Sequence, residues 1–319
     1  MSRPAEHFIT AETCSPLKSS TVDVSCNHQG NVVSCTERIV PGTRATLSCK
    51  SSYKLPVTND PGYREIQCLE DGLWNRQMFR CLAECGTAIA QGNALIVNGI
   101  NAKVGIFPWH VGIYRKNSET EYEQICAGTL ISNNLVVSAA HCFFDEVYGK
   151  AEDKSKYFIA AGKHFRDWNN HENYAQKSPI AELLLPQRYL GIRGNFAQDI
   201  ALAKLETPFQ LTSLVQPICM DWDNEFERQQ LQVGQMGKVV GWGKTITGKP
   251  SETLQELNMP FIPYDQCVSA VPDDFRGYIT SDKFCAGWLN GSSLCDGDSG
   301  GGLGFQMHGT WYLRGVVSI

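Results

Sequence analysis

The sequence predicts an all-β protein with two folded parts, and three observations lead to this prediction. The 319 residues exceed the usual size of one domain. The 29 glycines, 14 prolines and 19% charged residues indicate short strands joined by many turns rather than a helical bundle. Six of the 13 cysteines lie between residues 14 and 81. We therefore expect a small module held by disulfide bonds, followed by a larger β-rich domain.

Cysteine usage and net charge exclude several classes of function. The cysteines lack the repeated CxxC pairs of a zinc module, so they indicate a disulfide framework and secretion into an oxidising compartment. The formal net charge of -5, without a Lys/Arg cluster, argues against nucleic acid or an anionic membrane as partner. We expect protein partners, with no cofactor or metal. Residues 1–13 are predicted to be unstructured and contain no apolar signal segment, so we expect this terminus to be incomplete or alternatively spliced.

Residues 14–81 form the predicted small module, since a chain this short needs covalent bonds to supplement its core. Its patterns are Pro41-Gly42-Thr43, Leu47-Ser48-Cys49, Ile66-Gln67-Cys68 and Asp71-Gly72-Leu73-Trp74. They resemble a sushi (complement control protein) domain. The resemblance implies the bonds Cys14–Cys68 and Cys49–Cys81, which leaves Cys26 and Cys35 as an additional pair that can close a local loop. Two functions stay open: docking to an upstream recognition protein, and a spacer without a ligand.

The larger domain is predicted from residue 96 onward. Residues 82–95 are predicted to form an exposed connector, because they lack the periodic hydrophobicity of a helix or strand. Beyond it, β-branched and aromatic runs alternate with turn residues, which predicts a barrel or sandwich. The runs are Trp109–Tyr114, Leu130–Ser138, Tyr157–Ala161, Ile200–Leu205, Lys238–Gly241 and Tyr312–Ile319.

Three motifs in the larger domain carry the chemistry of peptide hydrolysis. They are Ser138-Ala139-Ala140-His141-Cys142, Asp199-Ile200-Ala201-Leu202 and Gly297-Asp298-Ser299-Gly300-Gly301. Hydrolysis at neutral pH needs a nucleophilic hydroxyl, an imidazole that takes its proton, and a carboxylate that orients the imidazole. In sequence and in order, the motifs resemble the signatures of the chymotrypsin-like serine proteases.

This resemblance implies a chymotrypsin-like double β-barrel and a role for each residue. His141 is expected to act as general base and then acid, Asp199 to orient it, and Ser299 to be the nucleophile. The backbone N–H groups of Gly297 and Ser299 are expected to form the oxyanion hole. The family also implies the disulfide bonds Cys85–Cys219, Cys126–Cys142 and Cys267–Cys285.

The resemblance also predicts how activity is controlled and directed. Cleavage after Leu95 would free the ammonium group of Ile96, which in this family inserts beside the aspartate before the nucleophile, here Asp298. Ser293 and Ser318 are expected to line the specificity pocket. A serine at the position of Ser293 suits an apolar substrate side chain. We therefore expect an enzyme that prefers bulky apolar residues and processes its own Leu95–Ile96 bond.

The carboxy-terminal end of the sequence raises an alternative. In the family the partner of Cys295 lies beyond the position of Ile319, so we expect the second barrel to be incomplete. The alternative function is therefore a catalytically inactive protease homologue that binds partners without turnover. Aspartyl and metal-dependent proteases are disfavoured because neither a paired carboxylate motif nor HExxH occurs. The pattern Asn290-Gly291-Ser292 is a glycosylation acceptor.

Several features together resemble the insect modular serine proteases. These are the sushi-like module, the connector tethered by Cys85, the apolar Leu95 at the cleavage point, and Ser293 in the pocket. The resemblance implies secretion into haemolymph and activation downstream of pattern-recognition proteins. It also implies cleavage of another protease zymogen, in a cascade that leads to Toll signalling or prophenoloxidase-dependent melanisation.

Overall fold

A computed structural model describes residues 13–50, 52–55, 61–88, 105–244, 248–288 and 297–318 of the chain. The chain divides into two compact units, Met1–Glu84 and Cys85–Ile319. Each unit has its own hydrophobic core. Among the described residues, no helix combines the length and the apolar character that a bilayer crossing requires.

The first unit contains two small antiparallel sheets and two small clusters of buried residues. Its strands are β1 (Val22–His28), β2 (Asn31–Val33), β3 (Arg44–Cys49), β4 (Tyr53–Lys54), β5 (Glu65–Gln67) and β6 (Leu82–Ala83). Four of them form a sheet in the order β2-β1-β3-β5, and β4 pairs with β6. In β3, buried Ala45 and Leu47 alternate with exposed residues, as expected for a strand with one face on the core.

Three disulfide bonds hold this unit together. They are Cys14–Cys68, Cys26–Cys35 and Cys49–Cys81, with Cα–Cα distances of 5.9, 5.4 and 5.7 Å. The core that they supplement is small, with Leu47 and Ile66 as its largest fully buried side chains. Covalent closure therefore contributes stability that so small a core does not supply.

The second unit contains thirteen described strands and two short α-helices. The strands are β7 (His110–Lys116), β8 (Tyr122–Ser132), β9 (Leu135–Ser138), β10 (Phe144–Asp145), β11 (Lys150–Ala151), β12 (Tyr157–Ala161), β13 (Gln176–Leu184), β14 (Ala201–Leu205), β15 (Met236–Gly241), β16 (Gln255–Ile262), β17 (Cys285–Ala286), β18 (Gly302–Met307) and β19 (Thr310–Val316). The helices are α1 (Glu227–Gln230) and α2 (Tyr264–Ala270).

The strands of the second unit form two halves. Six strands close a barrel in the order β12-β13-β14-β9-β8-β7, which we call the first barrel. Five strands form a sheet in the order β17-β16-β15-β18-β19 that curls into a half-barrel, which we call the second half. The predicted all-β, chymotrypsin-like fold with a small disulfide-rich module is confirmed.

Two sequence-based predictions about local structure need correction. The run Leu130–Ser138 is not one strand, because a turn at Asn133 and Asn134 separates β8 from β9. Asparagine favours such turns. The connector also begins as a strand, since β6 pairs with β4. A strand of two residues is too short to show a periodic pattern.

The described part of the connector, residues 82–88, is also less exposed than predicted. Cys85 is bonded to Cys219. Next to it, the N–H of buried Gly86 donates to the Pro217 carbonyl, and its own carbonyl accepts from the Trp311 N–H. A Cβ at Gly86 would lie 2.4 Å from the Trp311 carbonyl oxygen, so only glycine permits this contact.

Each half has its own core, and a tryptophan joins the two. Aliphatic side chains that are fully buried, among them Ile113, Leu130 and Ile159, fill the first barrel. Trp242, directly after β15, is also fully buried. Its ring lies edge-on to that of His110 in β7, with the centroids 4.9 Å apart. This contact joins a strand of the first barrel to the residue that follows β15 of the second half.

Candidate active site

His141 lies on a short 3-10 helix, Ala140–Phe143, that follows β9. Its neighbours Ala140 and Cys142 are buried, whereas 21% of its own side chain is exposed. The disulfide bond Cys126–Cys142 ties this helix to β8. The imidazole is therefore accessible on a support that the barrel holds in place.

Asp199 is brought to His141 by strand pairing. β14 pairs with β9 so that Ala201 lies opposite Ser138, and Asp199 lies two residues before Ala201, the first residue of β14. Its Oδ2 lies 2.8 Å from Nδ1 of His141, and its Oδ1 accepts the His141 backbone N–H at 2.9 Å. The side chain of Asp199 is only 1% exposed. The carboxylate thus holds both the ring and the backbone of the histidine.

The charge state of Asp199 determines the tautomer of His141. Burial alone raises the pKa of Asp199, but the hydrogen bonds and charge of His141, together with a hydrogen bond from Ser318, lower it below its ordinary value. Asp199 is therefore ionised at neutral pH and can only accept hydrogen bonds. Nδ1 of His141 must then donate, which leaves Nε2 free to take a proton from another group.

Ser318, which the sequence analysis assigned to the specificity pocket, has a further contact that was not predicted. Its hydroxyl donates to Oδ2 of Asp199 at 2.5 Å. The hydroxyl therefore supports the carboxylate beside His141. The two residues are 119 positions apart, and no local pattern links them.

The segment that carries Ser299 is docked on the first barrel by backbone contacts. The Ser299 carbonyl accepts the Ala127 N–H of β8 at 2.8 Å. Gly300 has a φ of +80°, and a Cβ there would lie 2.4 Å from the Ala127 carbonyl oxygen and 2.1 Å from Oγ of Ser138. Glycine is therefore required at position 300 for this close approach. Ser138 lies only three residues before His141.

Gly297 is held by a side chain that the sequence analysis did not identify. It has a φ of +100°, which favours glycine, and its carbonyl accepts from Nε2 of Gln124 at 3.1 Å. Gln124 is buried, and its Nε2 also donates to the Cys126 carbonyl at 2.9 Å. Only the contact across 173 positions reveals its role, so no sequence signal could have shown it.

Asp298 occupies a space between two glycines. Its Oδ1 accepts the Gly243 N–H at 2.8 Å. A Cβ at Gly241 or Gly243 would lie 2.2 or 2.0 Å from a carboxylate oxygen of Asp298. The two glycines on either side of Trp242 leave room for the Asp298 carboxylate. They are the feature of the sequence that could have predicted where this carboxylate lies.

Some predicted residues lie outside the described residues. They are Leu95, Ile96, Ser293, Cys295 and Asn290. The bond Cys267–Cys285 is present, so all six predicted disulfide bonds occur in the structure. Atoms of Cys126, His141 and Cys142 lie within 4.8 Å of one another, but both sulfurs belong to a disulfide bond and cannot act as thiolate ligands.

His110 is unsuited to proton transfer at neutral pH. It is 4% exposed, and burial lowers its pKa to about 3. Its imidazole is therefore neutral and packed beside Trp242.

Comparison with known proteins identifies both parts of the chain. Residues 96–319 match the model of the trypsin family, and residues 14–81 match that of the sushi repeat (SCR repeat). The chain is 29% identical over 303 residues to the modular serine protease of Drosophila melanogaster, covering 92% of this chain and 46% of that protein.

Two clotting proteins are also similar. Clotting factor C of Tachypleus tridentatus is 32% identical over 284 residues, which cover 87% of this chain and 27% of that protein. Coagulation factor IX of Cavia porcellus is 32% identical over 225 residues, which cover 70% of this chain and 72% of that protein. The chain thus spans less than half the length of the first two relatives.

The family match covers both halves of the second unit, including His141, Asp199 and Ser299. The resemblance seen in the sequence is confirmed for both parts of the chain. The chain belongs to the trypsin family of serine proteases and carries a sushi repeat ahead of its protease domain.

Proposed function

We propose that this chain is a serine endopeptidase zymogen that hydrolyses peptide bonds with His141, Asp199 and Ser299. The observation that carries the proposal is the 2.8 Å contact between Nδ1 of His141 and the buried carboxylate of Asp199. A carboxylate in this position holds the imidazole in the tautomer that accepts a proton from a nucleophile. Membership of the trypsin family supports the same activity.

The proposed reaction has two steps. In the first, Oγ of Ser299 attacks the substrate carbonyl while Nε2 of His141 takes the hydroxyl proton, and that proton then passes to the leaving amine. In the second, His141 takes a proton from water, which attacks the acyl-enzyme, and returns the proton to Ser299. Asp199 stabilises the imidazolium in both steps. The N–H groups of Gly297 and Ser299 stabilise the negative oxygen.

We further propose that cleavage between Leu95 and Ile96 activates the zymogen. The new ammonium group of Ile96 would pair with Asp298, whose carboxylate already lies between Gly241 and Gly243. Such a pair compensates the cost of burying a carboxylate. Because Asp298 adjoins both Gly297 and Ser299, the pair would orient the two proposed oxyanion donors.

The specificity proposal is a preference for bulky apolar residues, with processing of the chain's own Leu95–Ile96 bond. It is supported by the sequence, in which Ser293 takes the place of a charged residue at the base of the pocket. Ser318 is proposed to combine a place in the pocket wall with its contact to Asp199.

The biological proposal is secretion and a place in an extracellular proteolytic cascade of innate immunity. Relatives named modular serine protease and clotting factor C support it. The proposed substrate is a downstream protease zymogen. For the sushi repeat, residues 14–81, we propose docking to an upstream recognition protein, with a spacer role as the second candidate.

The test uses the secreted chain, its Ser299→Ala variant and, as a control, Ser213→Ala at an exposed position. After cleavage at Leu95, the wild type and the control should react with a fluorophosphonate and hydrolyse peptides with Leu or Phe before the cleaved bond. Ser299→Ala should lose both, with a fall in kcat on the order of 10⁶-fold.

Absence of both the adduct and hydrolysis in the cleaved wild type would favour the inactive binding homologue. The self-processing proposal has a separate test. A purified Ser299→Ala zymogen should stay intact at Leu95 when incubated alone, and cleavage there would contradict self-processing.

A further inference from the structure

The segment that leads into Asp199 has a strained backbone. Asn195, Phe196 and Gln198 have φ values of +52°, +52° and +60°. Non-glycine residues avoid this region, and it is most unfavourable for bulky side chains such as phenylalanine. These are three of the eight non-glycine residues with positive φ among those the structure describes. Such a conformation persists only where surrounding contacts impose it.

One of these contacts comes from Asp282, in the second half. Its Oδ2 accepts the backbone N–H of Gln198 at 2.8 Å, and its Oδ1 accepts the Thr280 hydroxyl at 2.6 Å. Gln198 is the residue directly before Asp199. The carboxylate therefore holds the peptide group between Ala197 and Gln198, one residue before the aspartate that contacts His141.

Lys283 adds a second link from the same side. Its Nζ donates to the carbonyl of Asn195 at 3.3 Å and to that of Tyr278 at 3.1 Å. Asp282 and Lys283 lie shortly before β17, whereas the strained segment belongs to the first barrel. The two residues thus connect the halves next to Asp199.

Glu146 holds the other end of the segment. It lies between β10 and β11, on the chain that leaves the His141 helix. Its carboxylate accepts the Ile192 N–H at 3.2 Å. Gly191 has a φ of +60°, a backbone conformation that favours glycine. The segment before Asp199 is therefore fixed from two directions.

The charge of Asp282 suits it to this contact. Burial raises its pKa, but hydrogen bonds from Thr280 and from the Gln198 backbone, with the nearby charge of Lys283, lower it below its ordinary value. The side chain is an acceptor at neutral pH, and a hydrogen bond to a charged acceptor is stronger than one between neutral groups.

We propose that Asp282 is a positioning residue for the reaction: by holding the Gln198 N–H across the boundary between the halves, it keeps Asp199 facing His141. This inference rests on the proposed function. Asp282 acts through Asp199, and its contribution is to the orientation of the carboxylate and hence to the tautomer of His141.

The experiment compares Asp282→Ala with Asp282→Asn in the full chain. Alanine removes the acceptor, whereas asparagine removes the charge and keeps an oxygen that can accept the Gln198 N–H. Asp282→Ala should lower kcat by about 10- to 100-fold with KM within about twofold, because orientation of the catalytic pair, not substrate binding, is lost. Asp282→Asn should stay within about threefold of the wild type.

A second readout does not depend on activity. The ring ¹⁵N chemical shifts of His141 report which nitrogen carries the proton. In the wild type and Asp282→Asn the proton should stay on Nδ1, whereas Asp282→Ala should populate the Nε2–H form. If the wild type has no activity, the proposed function fails, but the tautomer still tests the role of Asp282.

The matched control is Asp273→Ala, an exposed aspartate on the same stretch that pairs with Arg276 at 2.7 Å. It should leave kcat and the tautomer unchanged. A wild-type kcat and an Nδ1–H tautomer in Asp282→Ala would overturn the proposal, as would equal losses in Asp282→Ala and Asp282→Asn. Where Asp282→Ala does not fold, Thr280→Val replaces it: a smaller fall in kcat supports the proposal, and an unchanged kcat contradicts it.

Discussion

The two halves of the second unit contribute to the candidate active site in different ways. The first barrel supplies side chains, since His141 and Asp199 meet through functional groups placed by the pairing of β9 with β14. The second half supplies a backbone segment, residues 297–301, that reaches the first barrel through close main-chain contacts. The position of His141 and Asp199 therefore depends on strand register. The position of residues 297–301 depends on glycines, whose lack of a side chain permits the close main-chain contacts.

The two halves also differ in how completely their core side chains are buried. The first barrel is closed and has fully buried aliphatic side chains on several strands, such as Ile113 and Ile159. The core of the second half combines buried Phe305 with Phe261 and Phe284, which are only partly buried. We infer that the nucleophile segment depends on its contacts with the first barrel for its geometry more than the His141–Asp199 pair depends on the second half.

The largest effect is expected for Asp199→Asn, which changes the side-chain contact between Asp199 and His141 in the first barrel. The His141 backbone N–H requires an acceptor, so the asparagine oxygen should take the Oδ1 position and place its NH₂ group at Nδ1 of His141. The imidazole proton would then move to Nε2, where it blocks proton transfer from Ser299. We expect kcat to fall on the order of 10⁴-fold.

Steady-state kinetics of Asp199→Asn should be compared with those of Asp223→Asn, an exposed aspartate. The control should keep wild-type kcat. Activity of Asp199→Asn within about tenfold of the wild type would mean that the carboxylate does not set the tautomer.

An intermediate effect is expected for Gly300→Ala, which disturbs the backbone contribution. The new Cβ would meet the Ala127 carbonyl at 2.4 Å, and that main-chain atom cannot rotate away. The segment would have to move, and the N–H of Ser299 with it. We expect kcat to fall by about 10²- to 10³-fold, as for loss of one oxyanion donor.

Gly309→Ala is the matched control for Gly300→Ala. Gly309 has a φ of +84°, close to that of Gly300, but nothing lies within 4 Å of a Cβ there. It should keep wild-type kcat and lose about 1 kcal/mol of unfolding free energy. Equal kcat losses in both variants would show that backbone strain, rather than the contact with Ala127, limits position 300.

The smallest effect is on the free energy of unfolding and not on kcat. It concerns buried His110, at the boundary between the halves, and the pH dependence that this residue causes. His110 has its pKa lowered to about 3 in the folded chain. The unfolded chain therefore binds one more proton as pH falls below the ordinary histidine value. The stability from neutral, buried His110 is complete above that value and is lost toward pH 3, at no more than about 1.4 kcal/mol per pH unit.

Urea unfolding between pH 7 and 4 should show this slope in the wild type and a smaller one in His110→Gln, which does not titrate. His308→Gln, at an exposed position, should keep the wild-type slope. If His110→Gln and the wild type lose stability in parallel, other groups account for the acid sensitivity.

Prediction from the sequence succeeded where a pattern is local or a family motif is long. The run Tyr157–Ala161 coincides with β12, because its β-branched and aromatic residues pack on a pleated surface. It failed at Leu130–Ser138, where a two-residue turn at Asn133 and Asn134 interrupts a run that is otherwise rich in hydrophobic residues. The positions of His141 and Asp199 followed from motifs, but the order of the motifs alone does not place one 2.8 Å from the other.

The sequence by itself determined the all-β class and the residue types needed for hydrolysis, because these depend on composition and short motifs, and its family resemblances supplied the pairing of the cysteines. Only the tertiary structure decided that Ser318 supports Asp199, that Gln124 holds Gly297 and that Asp282 holds the segment before Asp199. These pairs are 119, 173 and, for Gln198 with Asp282, 84 residues apart. Such contacts arise from strand pairing and the packing of two halves, which local periodicity does not encode.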